Sequence, residues 1–162
     1  MKLKSKIILS IGGVFALFGV AIVVALTGMQ SNKSRFEQFL GHDMALAQAT
    51  SDLYAQGLQM GQALRNIVID PANKTAYKNM DVAASTFKET SQKALLLTVD
   101  SPADHKVLEE VAALRELQIP IQNRIIALAG TDQAAAIAAI SKEETPAWRK
   151  LRGALLDYSK TK

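Results

Sequence analysis

The chain opens on an uninterrupted apolar stretch and then settles into a helical rhythm. Residues 7–28, IILSIGGVFALFGVAIVVALTG, run for 22 positions without a charged side chain. As a helix rising 1.5 Å per residue, this stretch is roughly 33 Å long, enough to cross a bilayer core of about 30 Å. Beyond it, Phe39, Leu46, Leu53, Met60 and Ile67 form a seven-residue row, with Phe36, Asp43, Thr50, Gly57 and Leu64 as its partner row. That spacing marks one face of a helix. A second segment places Tyr77, Met80, Ala84, Phe87 and Leu95 toward a core, and a third places Val107, Val111, Leu114, Gln118, Ile121, Ile125 and Leu128. The last begins with the alanine-rich TDQAAAIAAIS and resumes with Trp148, Leu151 and Leu155. No stretch alternates with the period of two that a strand requires.

The breaks between segments have their own chemistry. Asp70-Pro71, Ser101-Pro102 and Thr145-Pro146 each set a capping residue before proline. The capping oxygen accepts from a free backbone N–H, and proline at the first helical position gives up no needed donor. Gly130 before Thr131 predicts a left-handed helix end and a further start. The chain is thus divided near 70, 101 and 130, with a break expected near Glu144. Short linkers make successive helices antiparallel neighbours. The predicted fold is all-α: a transmembrane helix continuing into an up-and-down antiparallel four-helix bundle. Residues 1–6 are read as a cytoplasmic leader, 7–28 as the span and 29–162 as the bundle. The first bundle helix, about 40 residues or roughly 60 Å long, exceeds the 32 residues left after Gly130, so the fourth helix is expected to be truncated.

Charge supports this topology. Three of the 19 basic residues are Lys2, Lys4 and Lys6, leaving 16 against 15 acidic ones beyond the span, a net charge of +1. Short basic flanks stay inside, which predicts a cytoplasmic N-terminus and a bundle on the outer side of the membrane. The near-neutral remainder offers no patch for nucleic acid. A cleaved signal peptide is the competing reading, but its apolar core is usually about 7–15 residues and ends in a small-x-small site, which Ala25-Leu26-Thr27 matches poorly. The absence of cysteine excludes disulfides and thiolate metal sites.

Candidate chemistry is sparse. His42 and His105 lack metal-ligand spacing, and there is neither a GxSxG serine nor a glycine-rich phosphate loop. The chain is therefore read as a binder, not an enzyme, with no metal and no cofactor. Gly57 and Gly61 lie on the packing face of their helix, marking either a dimer seam or an internal close approach. Pro120 in LQIPIQN predicts a bend, because it cannot bond to the carbonyl of Glu116.

The basic leader MKLKSK with its single span, LRNIVIDPANKTAYKN and KEETPAWRKLRGALL together resemble the N-terminal part of bacterial methyl-accepting chemotaxis receptors with a four-helix ligand-binding domain. The resemblance implies a homodimeric sensor that detects a small molecule outside the cell and passes inward a displacement of the fourth helix relative to the first. The second span and cytoplasmic signalling region of that family are not in the sequence. Related bundles serve histidine kinases and cyclic-dinucleotide enzymes. An alternative from another class is a membrane-anchored structural or adaptor bundle.

Counting back from the two turns places Arg65, Tyr77 and Arg124 at one level, with Asn66 and Asn123 close by. Arginine forks bind carboxylates bidentately, and tyrosine and asparagine add orienting hydrogen bonds. These five residues form the predicted site for a small-molecule ligand such as an amino acid or organic acid. Arg115 and Gln118 are an alternative site, since Gln118 interrupts an apolar stripe and needs a polar partner if buried.

Overall fold

The computed structural model describes residues 3–161, with side chains from residue 12 onward except 14, 16 and 38. It divides into two units, Met1–His42 and Asp43–Lys162.

The first unit contains helix α1 (Leu3–Gln38). Its described apolar side chains, including Phe15, Leu17, Phe18 and Ile22, are exposed. Among the described residues no helix is long and apolar enough to cross a membrane. The predicted span falls partly outside that description, because the side chains of residues 7–11, 14 and 16 are not described. Met1 and Lys2 of the predicted leader also lie outside the described residues. A π-helical turn, Phe39–Asp43, follows α1.

The second unit is built from four helices. They are α2 (Met44–Ile69), α3 (Lys74–Leu97), α4 (Pro102–Ala129) and a fourth in two parts, α5 (Gln133–Ala139) and α6 (Thr145–Lys160), joined by the π-helical turn Ile140–Glu144. Among the described residues there is no strand.

The helix ends depart instructively from the proline marks. Helix α3 starts three residues late. Its cap is Asn73, whose side chain accepts from the Ala76 amide at 3.0 Å. Asp70 instead ends α2, and its Oδ1 accepts from the Ala72 amide at 3.0 Å, so Asp70 and Pro71 belong to the turn. Helix α4 does begin at Pro102, but the Ser101 hydroxyl donates to Asp104 Oδ2 at 2.6 Å instead of capping the backbone. Gly130 is right-handed, with φ −87°, and Asp132, not Thr131, caps α5 by accepting from Ala135 at 2.9 Å. Helix α6 does begin at Thr145, with Pro146 in its first turn, but without a side-chain cap. Glu144 and Thr145 keep helical dihedrals, so the expected break near Glu144 is a π turn within a continuing helix. Pro120 sits inside α4 on its exposed face.

Both predicted rows of α2 are buried from Leu46 onward: Leu46, Leu53, Met60 and Ile67, with Thr50, Gly57 and Leu64 beside them. Phe36, Phe39 and Asp43 are exposed. Met80 and Phe87 are buried on α3, along with Ala76, Ala83 and Ala94, while Tyr77, Ala84 and Leu95 pack at the core's margin. On α4 the buried residues are Leu108, Val111, Arg115, Gln118, Gln122, Ile125 and Ala129. Their steps of three and four residues make a continuous seam. This corrects the predicted stripe, since Val107, Leu114, Ile121 and Leu128 are only half-buried at its flank. Leu151 and Leu155 are buried on α6 as the pattern required, and Tyr158 joins them.

Gly57 accommodates Trp148. A Cβ on Gly57 would overlap Cζ3 and Cη2 of the indole, whereas a Cβ on Gly61 would meet only Arg65 Nη1, at 3.4 Å. Of the two readings of this glycine pair, an internal close approach accounts for Gly57. The indole also lies against Tyr54, ring centroids 6.1 Å apart.

Candidate functional site

The middle of the α4 seam is polar. Arg115, Gln118 and Gln122 occupy three successive seam positions and point into the core, where they meet Glu144 from the π turn. Glu144 is 2% exposed and Arg115 7%. Arg115 Nη1 donates to Gln118 Oε1 at 3.0 Å and to Gln122 Oε1 at 2.7 Å. Gln118 Nε2 donates in turn to Glu144 Oε1 at 3.1 Å. The guanidinium also lies over the Phe87 ring, 5.8 Å from its centroid, so α3 supplies a cation–π floor.

The π turn is what brings Glu144 in. Five residues separate Ala139 from Glu144, both buried, a step too long for one α-turn and suited to i→i+5 bonding. Single π turns inside α-helices are frequent at functional sites.

The electrostatics of this core are costly. Burial lowers the Arg115 pKa, while the charges of Glu116 and Glu144 oppose that shift. Gln122 Nε2 is a buried donor without a partner, and an unmet donor costs about 1–3 kcal/mol. Removing one member of a buried ion pair typically costs about 3–5 kcal/mol, yet replacing the whole group with apolar residues is often neutral or stabilising. Arg115 and Glu144 therefore commit the core to a linked polar arrangement that packing alone does not require.

The alternative sequence-predicted pair, Arg115 and Gln118, is thus brought together and joined by Gln122 and Glu144. The five residues of the main prediction are not gathered in this way. Arg65 and Asn66 are exposed on α2, and Tyr77 is half-buried against the core. Asn123 is exposed, and Arg124 pairs with Glu143 on the π turn. Arg65 lines a shallow groove of about 220 Å³ with Val68, Ile69, Ile137, Ile140 and Ser141. Arg65 and Arg124 so reach the same irregular turn from α2 and α4 respectively. Among the described residues no side-chain hydrogen bond or ion pair joins the five.

At the other end of the unit, His105 Nδ1 is 3.2 Å from the Thr98 hydroxyl, and its Nε2 is 3.6 Å from Glu109. Tyr158 is held to Asp104, and its pKa is pushed up by burial first, and then by the charge and hydrogen bond of Asp104 and by Asp43.

No family model, characterised protein or solved structure matches the chain.

Proposed function

We propose that the chain is the anchor and extracytoplasmic sensor module of a chemotaxis-type receptor. In this reading the four helices form an up-and-down antiparallel bundle in the periplasm, residues 7–28 hold it in the inner membrane, and it works as a homodimer. A small molecule such as an amino acid or organic acid shifts the fourth helix relative to α2. It binds rather than catalyses.

The observation that carries the proposal is the buried Arg115–Gln118–Gln122–Glu144 network at a π turn. A polar link with an unmet donor at an irregular turn is suited to an element with two arrangements of similar energy, and coupling energies of about 1–3 kcal/mol are enough for ligand control. Arg65 and Arg124 flank the same turn, so an anion bridging them would act directly on its position.

The reading makes two demands on the full-length chain in cells. The chain must fractionate with the inner membrane, and protease added to spheroplasts must digest the bundle while intact cells protect it. A soluble chain, or a bundle protected in spheroplasts, would overturn the sensor topology. Calorimetry of the full chain in nanodiscs against small acids and amino acids then tests the ligand, with Arg65→Ala and Arg124→Ala expected to weaken binding. Unchanged affinity in both variants would remove those residues from the site.

A further inference from the structure

A second concave surface lies between α4 and α6, away from the polar network. It is an open groove of about 920 Å³. Val107, Leu114, Gly153 and Ala154 line it with apolar surface. The two helices run in opposite directions, since Gln118 meets Glu144 near one end and Asp104 meets Tyr158 near the other.

Basic side chains line one end of the groove and acidic ones the other, with Glu110 between them. Arg149 and Lys150 line it toward the polar network, and Asp157 and Asp104 line it at the far end. Eight residues of α6 separate Arg149 from Asp157, or about 12 Å at 1.5 Å per residue. Among the described residues neither Arg149 nor Lys150 has an ion-pair partner, although Glu110 lines the same groove. Among them, too, Asp157 is engaged only by Lys160 at 2.9 Å, both side chains being largely exposed, and such surface pairs exchange easily. Asp104 is held by Ser101 and Tyr158.

Gly153 lines the groove on α6. It sits in the middle of α6, where glycine weakens a helix, yet a Cβ there would have nothing within 4 Å. Gly57 is explained by Trp148. No neighbour inside the fold explains Gly153, and a side chain at that position would fill the groove.

The geometry points to a binding site for a short linear peptide of three to four residues with both termini free, its carboxylate on Arg149 and Lys150 and its amine on Asp157 and Asp104. An extended chain advances about 3.3 Å per residue, so three to four residues span the 12 Å between the charged ends. Glu110, on the α4 wall between those ends, accepts from a peptide N–H. Small or apolar side chains suit the Val107, Leu114 and Ala154 surface. The inference holds for a sensor or an adaptor alike, so its failure and that of the membrane topology are separately visible.

The test is calorimetry of the purified full chain with unblocked tetraalanine. Saturable binding is expected, weakened at least tenfold by Asp157→Asn and by the double change Arg149→Gln, Lys150→Gln. These side chains are exposed, so both variants should keep the wild-type melting temperature. Gly153→Leu should abolish binding without lowering that temperature. N-acetylated, C-amidated tetraalanine should not bind. Absence of saturable binding in the millimolar range, equal binding of the blocked peptide, or affinity unchanged in the charge variants would each overturn the assignment.

Discussion

Replacing Gly57 with alanine should destabilise the bundle, although alanine is the better helix former. Helix propensity alone favours the change by up to about 1 kcal/mol. Against this, the new methyl group would occupy the space of the Trp148 ring. Overpacking of this kind costs about 1–3 kcal/mol when the neighbours can shift. If the indole withdraws instead, it gives up its contact with Tyr54, worth about 0.5–1.5 kcal/mol, as well as buried area. The steric cost outweighs the gain in propensity, and a net loss of about 1–2 kcal/mol is expected, equivalent to roughly 3–12 °C in melting temperature for a unit of this size. Trp148 is the single tryptophan of the chain, so its fluorescence reports the displacement directly, as a red shift in the folded protein. Gly61→Ala is the matched control. Its nearest obstacle is the end of the Arg65 side chain at 3.4 Å, so that variant should be stabilised by up to about 1 kcal/mol. Trp148→Leu in the Gly57→Ala background should recover part of the loss. The same sign of effect for Gly57→Ala and Gly61→Ala, with unchanged emission, would refute the close approach.

Three further outcomes follow from the core and the caps. Arg115→Met alone should lose about 1–3 kcal/mol, because Gln118 and Gln122 lose their shared donor and Glu144 loses a nearby positive charge, whereas changing Arg115, Gln118, Gln122 and Glu144 together to apolar residues of similar size should keep or raise stability, as read by urea titration. Because Tyr158 has its pKa raised in the folded state, its contribution is intact below about pH 10, the unfolded value, and is lost as pH rises beyond it. Urea midpoints between pH 9 and 11 should fall less steeply in Tyr158→Phe, and an identical slope would exclude the buried hydroxyl as a source. Asn73→Ala should cost about 1 kcal/mol through the lost cap on α3, and considerably more than Pro71→Ala, measured by thermal melting.

The α2 rows were legible because Leu46, Leu53, Met60 and Ile67 recur without exception and meet the core on one side. The start of α3 was not, because Asp70 and Asn73 are both competent caps three residues apart. Only the turn between them determines that Asp70 serves the turn and Asn73 the helix. The α4 stripe was displaced for a different reason. Val107, Leu114, Ile121 and Leu128 each stand directly before a more deeply buried residue, so apolar counting favoured the flank over the seam. Gln118 belongs to both rows, and its polarity was the one available signal of the network. Arg115 was a candidate beside it, but Gln122 becomes visible only once the seam is set to Leu108, Val111, Ile125 and Ala129. Glu144 could not be paired in advance: a break was expected near it, but nothing in the sequence showed that the break is a π turn, which shifts the facing side of the fourth helix by one residue. Counting back from turns put Arg65 and Arg124 near one another but could not tell that they reach the fourth helix from different neighbours.

The polar seam also fixes how the fourth helix is aligned lengthwise. Alanine-rich α5 and the leucines of α6 would tolerate sliding along α4, since one apolar contact resembles the next. Glu144 does not tolerate it. In place, it accepts from Gln118. Slid by one heptad in either direction, it would face Val111 or Ile125, both fully buried, and its carboxylate would lose the Gln118 donor. Taking an unpaired carboxylate into such surroundings costs several kcal/mol, comparable to the whole stability of a domain this small. The network thus acts as an index pin, excluding misaligned docking by making each wrong position carry an uncompensated charge.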